Sequence, residues 1–224
     1  MSASFHPSDE LLMAYGAGSL DEATALLVAS HLTLCPRCRS EVARIEAMGG
    51  SFLEELPPAA MGGDALAGIL AKLDDTPAPT PPTLRRKPAQ TATSAKAGPL
   101  IPAPLRGYLG GGLENVRWKR LTDGLEHALV VQSGRTRARL YRIAPGIPIP
   151  EHGHGGAELT LVLQGGFSDH AGHYLVGDVA CADDDTIHHP VADADGHCIC
   201  LAVTDAPLRL TGLVGRLISR FLNL

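Results

Sequence analysis

Aromatic residues are scarce in this chain, where Phe, Tyr and Trp together make 4% of 224 residues. Small aliphatic side chains must therefore do most of the packing, and a hydrophobic content of 45% gives them enough material for a core. No stretch approaches the roughly 20 apolar residues needed to span a bilayer, so no membrane segment is expected. The start, MSASFHPSDELL, has neither a basic region nor a long apolar run, which speaks against a secretory signal and for a cytoplasmic protein. An excess of positive charge is also missing. Nineteen Lys and Arg stand against 24 Asp and Glu, for a net charge of −5. That balance, with no basic recognition helix, argues against direct DNA binding. Cysteines are few and odd in number, at five. Without an export signal they are expected to be reduced thiols, some holding metal, rather than a disulfide framework.

What is present begins with His31-Leu-Thr-Leu-Cys35-Pro-Arg-Cys38. His31 and Cys35 are four residues apart, hence on one face of a helix, and Cys38 follows at CxxC spacing beside Pro36. One imidazole and two thiolates converging in this way suit the tetrahedral N/S preference of Zn²⁺. A fourth ligand must come from elsewhere, and His6 is the nearest upstream candidate.

Around this motif the apolar spacing predicts four short helices. Ser8 can cap the first, over 9–16, with Leu11, Leu12 and Tyr15 as its stripe and Gly16 and Gly18 at its end. Ser19-Leu-Asp-Glu22 reads as a capping box for the second, along which Ala23, Leu27, His31 and Leu34 recur at helical spacing. The third carries Val42, Ile45 and Met48 and is expected to loosen at Gly49-Gly50. The fourth follows Asp64, with Leu66, Ile69, Leu70 and Leu73 on one face. A helical domain this small has a marginal core, and a structural metal is a common staple for one.

From residue 76 to 104, prolines at 77, 79, 81, 82, 88, 99, 102 and 104 among Ala, Thr, Ser and Lys predict a semi-extended linker. After it the periodicity changes to two. Segments 128–132, 138–143, 159–163, 198–203 and 208–210 are rich in Val, Ile and Leu and are separated by Gly, Asp and Pro, which predicts an all-β domain of short strands over 105–224. Leu213, Leu217, Phe221 and Leu224 predict a helix at the end. Cys198 and Cys200 share one face of a strand, about 6–7 Å apart at Cα. That is at the outer limit for a disulfide, so a buried apolar role is expected for them.

A second constellation lies in the β region. Gly146, His152, His154, Glu158 and Gly165 fit G-x5-H-x-H-x3-E-x6-G, and a Gly177-Asp178 turn leads to His188-His189-Pro190. In a strand His152 and His154 point the same way, and Glu158 can return to their face after the Gly155-Gly156 turn. Two imidazoles, a carboxylate and a further imidazole suit a divalent transition metal: Zn foremost, with Mn, Fe or Ni also fitting.

This signature resembles the first cupin motif, and Gly177 to His188 resembles a degenerate second motif that lacks the usual PxG. The resemblance implies a cupin β-barrel with metal ligands His152, His154, Glu158 and His188, and with His189 outside the set. His6 with His31-x3-Cys35-x2-Cys38 resembles the zinc-binding anti-sigma domain. The two domains in this order resemble the ChrR-type anti-sigma factors almost end to end. That implies a zinc-binding four-helix domain over 1–75, a linker over 76–104, and a cupin barrel with a C-terminal helix over 105–224. It also implies a 1:1 complex with an extracytoplasmic-function sigma factor, in which the zinc domain suffices for inhibition and the cupin domain answers singlet oxygen or organic hydroperoxides. The contacts are expected from exposed apolar residues of helices one, two and four. The alternative is a metal-dependent cupin enzyme of dioxygenase or isomerase type, since that metal set also serves catalysis.

Overall fold

The computed structural model describes residues 3–75 and 101–210. The expected terminal helix around Leu213–Leu224 lies outside the described residues, as does most of the expected linker. Packing groups the chain differently from the division by composition. Met1–Gly49 and Pro99–Leu224 form one compact unit, and Gly50–Gly98 forms another.

In the first unit, Ser8 caps helix α1 (Asp9–Gly16), its side chain accepting from the Leu11 N–H at 3.3 Å. Gly18 closes the turn beyond it at φ +67°, a conformation glycine adopts without a Cβ penalty. Helix α2 (Glu22–Leu34) is capped by Asp21 and not by Ser19. The Asp21 carboxylate accepts from the Ala23 and Thr24 N–H groups, while Ser19 Oγ donates back to the Ala14 carbonyl. The residue directly before the helix takes the cap, and its carboxylate reaches two of the free N–H groups. Helix α3 (Pro36–Glu54) opens at Pro36, whose missing N–H costs nothing at a first helical position. It runs through Gly49 and Gly50 without a break. Each glycine costs such a helix only about 1 kcal/mol, too little to end one that forms many backbone bonds.

The β-region is entirely antiparallel in its pairings. One six-stranded sheet has the order β1 (Lys119–Thr122), β2 (Leu125–Ser133), β3 (Thr136–Ile143), β11 (Cys198–Thr204), β5 (Glu158–Gln164), β8 (Val179–Ala182). Two smaller sheets are β10 (Val191–Ala192), β6 (Gly166–Ser168), β7 (His173–Leu175), and β12 (Leu208–Leu210), β4 (His152–His154), β9 (Ile187–His188). The three sheets do not close into the expected barrel. Pro148, Pro150 and Pro190 lack donors, and the strands of the smaller sheets are only two or three residues long, so the ladder between sheets is interrupted.

Strand alternation gives the large sheet two buried faces. Ile199, Leu201 and Val203 of β11 join Leu159, Leu161, Ala138 and Leu140 on one face. Cys198 and Cys200 join Val162, Phe167 and Tyr174 on the other. The first face is covered by α2, through Ala23, Leu26 and Leu27, and by Leu105 of a short helix α5 (Ala103–Leu109). The opposite side of α2 presents Val28 to Leu12, Cys35, Cys38 and Val42. Helix α2 is thus apolar all round and buried between the sheet and its helical neighbours, as such helices must be. This corrects the expected four-helix domain. The described residues contain five helices, and α1 to α3 complete their core against the sheet. It also removes α2 as a source of exposed apolar contacts.

In the second unit, α3 ends and helix α4 (Ala65–Asp75) follows. Phe52, Leu53, Leu56, Met61, Leu66, Ile69 and Leu73 are all more than half exposed there, with Met61 at 78%.

Candidate metal centres

The junction of α2 and α3 builds the first centre. Cys35 ends α2, its N–H bonded to the His31 carbonyl at 2.9 Å. Its sulfur then occupies the place of a cap for α3, accepting from the Cys38 N–H at 3.5 Å. Both sulfurs therefore lie at the N-terminal end of a helix. His6, arriving ahead of α1, places Nδ1 3.5 Å from Cys35 Sγ and 3.4 Å from Cys38 Sγ. Ligand atoms of His6, His31, Cys35 and Cys38 all lie within 4.8 Å of one another.

His31 supplies the test of fit. Its ring is fully buried, and Nδ1 donates to the Gly177 carbonyl at 2.8 Å. That bond fixes the tautomer and leaves Nε2 as a bare lone pair, buried with no hydrogen-bond partner. Burial lowers the pKa of His31 and of His6 from the ordinary histidine value, so both rings are held neutral as ligands must be. Burial and the neighbouring Cys35 push the Cys38 thiol up to about 12. A cation reverses that balance, because a coordinating thiol is deprotonated outright. The donor set fits zinc.

The second centre lies on the inner side of the small sheet β12-β4-β9. His152 and His154 share β4, and His188 faces them from β9, where it pairs with His152. His188 Nε2 is 3.1 Å from both His152 Nε2 and His154 Nε2. His152 Nδ1 donates to the Pro150 carbonyl at 2.8 Å, and His188 Nδ1 donates to Asp169 Oδ2 at 3.0 Å. Each donation fixes a proton on Nδ1, so the Nε2 atoms of His152 and His188 meet as two lone pairs. Such a contact is repulsive until a proton or a metal ion stands between them. Glu158 Oε2 lies 3.6 Å from His154 Nδ1, and its Oε1 accepts from Thr160 Oγ1 at 3.2 Å. Burial, reinforced by the neighbouring rings, lowers His152 and His154 to about 4. Burial raises Glu158 to about 7. The four residues again bring their ligand atoms within 4.8 Å. His189 is exposed and turned away. The site fits a divalent cation.

The structure thus brings together, in two groups of four, every residue the sequence nominated. It adds three groups that residue spacing does not reveal. The Gly177 carbonyl orients His31, Asp169 orients His188, and buried Asp178 binds the segment before His6. Asp169 sits in a Ser-Asp-His-Ala-Gly turn, and only that turn chemistry marked it beforehand. Cys198 and Cys200 are free and buried, and their mutual hydrogen bond, with burial, raises the Cys200 thiol. Cys181 is free and exposed. No helix among the described residues is long and apolar enough to cross a membrane.

Fold and sites together define a protein with two candidate metal centres, in which a zinc-finger-type helical segment is built onto a cupin-like β domain. Comparison with known proteins agrees. The family model described as a ChrR cupin-like domain matches residues 111–207, and one described as a putative zinc-finger matches residues 8–39. The latter holds His31, Cys35 and Cys38 but stops short of His6. The anti-sigma-E factor ChrR of Cereibacter sphaeroides is 42% identical over the whole of both chains. The crystal structure of Rhodobacter sphaeroides SigE in complex with the anti-sigma ChrR superposes with a TM-score of 0.74, at 42% identity, over 91% of this chain and 100% of that one. The chain belongs to the ChrR family of anti-sigma factors.

Proposed function

We propose that this protein is a cytoplasmic anti-sigma factor that holds one extracytoplasmic-function sigma factor in a 1:1 complex and keeps it from RNA polymerase. The observation that carries this reading is the end-to-end likeness to a ChrR protein solved in complex with its sigma factor. The apolar side chains exposed from the end of α3 through α4, among them Phe52, Leu53, Leu56, Met61 and Ile69, support it. A soluble chain keeps a patch of this kind for a partner. His6, His31, Cys35 and Cys38 hold zinc, which ties α2, α3 and the segment before α1 at fixed angles. His152, His154, Glu158 and His188 hold a second divalent metal, zinc foremost, with Mn, Fe and Ni as alternatives. The role is regulatory and not enzymatic. The β domain answers singlet oxygen or an organic hydroperoxide by changing the affinity for the sigma factor, since a signal with no differential affinity shifts no equilibrium.

The test is co-expression with the extracytoplasmic-function sigma factors of the same organism. A co-purified 1:1 complex with about two metals per chain is the expected result, the metals being held as tightly as structural sites usually are. Failure to co-purify any sigma factor overturns the proposal. Turnover of oxygen or a small substrate by the purified chain would favour the cupin enzyme reading instead.

A further inference from the structure

We propose that Ser4–His6 is a strap through which the β domain sets how firmly the His6–His31–Cys35–Cys38 cluster holds its cation, with Asp178 and Phe5 as positioning residues. The inference rests on the zinc reading above and adds a means of regulation to it.

Asp178 is buried at 3% exposure. Its Oδ1 accepts from the Ser4 N–H at 2.6 Å and the Phe5 N–H at 3.0 Å, while Oδ2 accepts from the Leu175 N–H at 2.8 Å. Val179 N–H donates to the Phe5 carbonyl at 3.1 Å. The residue before His6 is therefore held by both its backbone groups on one turn of the β domain. The neighbouring Gly177 carbonyl of the same turn orients His31. Two of the four ligands thus take their placement from Gly177–Val179, outside the helices that carry the thiols. Charge-assisted bonds from a buried carboxylate are among the stronger hydrogen bonds, and partners of this kind tune metal affinity.

The Phe5 ring extends the connection. It lies 4.5 Å from the Tyr174 ring and directly over Gly172, where a Cβ would meet Phe5 Cζ at 2.7 Å. Gly172 closes a turn around Asp169, whose Oδ1 accepts from the Ala171 and Gly172 N–H groups. The other oxygen of Asp169 accepts from His188, a residue of the second centre. Contiguous contacts therefore run His188, Asp169, Gly172, Phe5, His6. A rearrangement at His188 moves the floor under Phe5, and Phe5 precedes a ligand. By linkage, whatever factor one centre imposes on the other's binding is returned in full.

The experiment uses the full chain loaded with Co²⁺. The thiolate–cobalt charge-transfer absorption reports only the cysteine-containing cluster, and its decay after excess chelator gives the release rate. Phe5→Ala is expected to speed release about 10-fold or more. Gly172→Ala should do the same from the other side, by pushing the ring. The double variant should release no faster than Phe5→Ala alone, because the ring that the new methyl would displace is gone. His188→Ala should also alter the rate, although it touches none of the cluster's ligands. Wild-type rates in Phe5→Ala and Gly172→Ala overturn the strap, as does simple additivity in the double variant. Absence of the thiolate–cobalt band from the wild-type chain would instead overturn the zinc reading itself.

Discussion

At the scale of the residue, both centres show the same device. One ring nitrogen of a histidine is spent on a carbonyl or carboxylate, which leaves the other as a directed lone pair. His31 uses the Gly177 carbonyl, His152 the Pro150 carbonyl, and His188 the Asp169 carboxylate. Cys35→Ala and Cys38→Ala should each lose zinc and sigma binding together, by metal analysis and co-purification. Binding of structural zinc, about 10–16 kcal/mol in small zinc domains, is also folding free energy, so a lost thiolate weakens metal and helix arrangement together. The second centre should show a pH dependence with a defined sign. Burial raises Glu158 to about 7 and lowers His152 and His154 to about 4. Near neutrality the His152 and His154 rings are thus already bare, while the Glu158 proton competes with metal. Affinity should rise with pH toward about 7 and level off above it, with a proton released on binding below that pH. Calorimetric titration in buffers of different ionisation heat measures the released proton, and a flat profile below pH 7 would remove Glu158 from the ligand set.

At the scale of the element, α2 carries the architecture. Its two apolar sides make it the shared layer between the helical segment and the sheet. Leu27 is fully buried on the sheet side. Leu27→Ala should cost about 2–5 kcal/mol in denaturant unfolding, the range for a buried leucine whose cavity does not collapse. Helix α3 has the opposite character at its far end. Gly49 and Gly50 have open space where a Cβ would stand. Substituting either by Ala should stabilise that part of the helix by up to about 1 kcal/mol, seen as slower amide exchange toward Glu54. The same change in exchange with no effect on the thiolate–cobalt band would show how independently the two ends of α3 behave.

At the scale of the whole molecule, the helical segment and the β domain are not two beads on a string. The sheet completes the core of α1 to α3, and a turn of the sheet completes the surroundings of the zinc ligands. A fragment of residues 1–75 should therefore expose Ala23, Leu26 and Leu27 and bind a hydrophobic dye more strongly than the full chain. Dye binding equal to that of the full chain would mean the helices close over this face by themselves. The regulatory consequence is physical. A change in the β domain meets α2 and the segment before His6 directly, because both already rest on it.

Much of this was legible in the sequence, for a reason common to all the legible parts. The ligand spacings H-x3-C-x2-C and H-x-H-x3-E are local, and helix or strand periodicity converts such spacings directly into convergence. The Ser8 cap, the Pro36 start and the alternation that buries Cys198 and Cys200 on one face of β11 are local in the same sense. Tertiary structure decided what depends on partners distant in the chain. It brought His6 to the two thiols, covered α2 on its second side, left the β-sheets unclosed at the prolines and set Asp178 beneath Ser4 and Phe5. None of these has a period or a spacing. Each arises because a buried donor, carboxylate or apolar face must be satisfied, and only the folded chain determines by what.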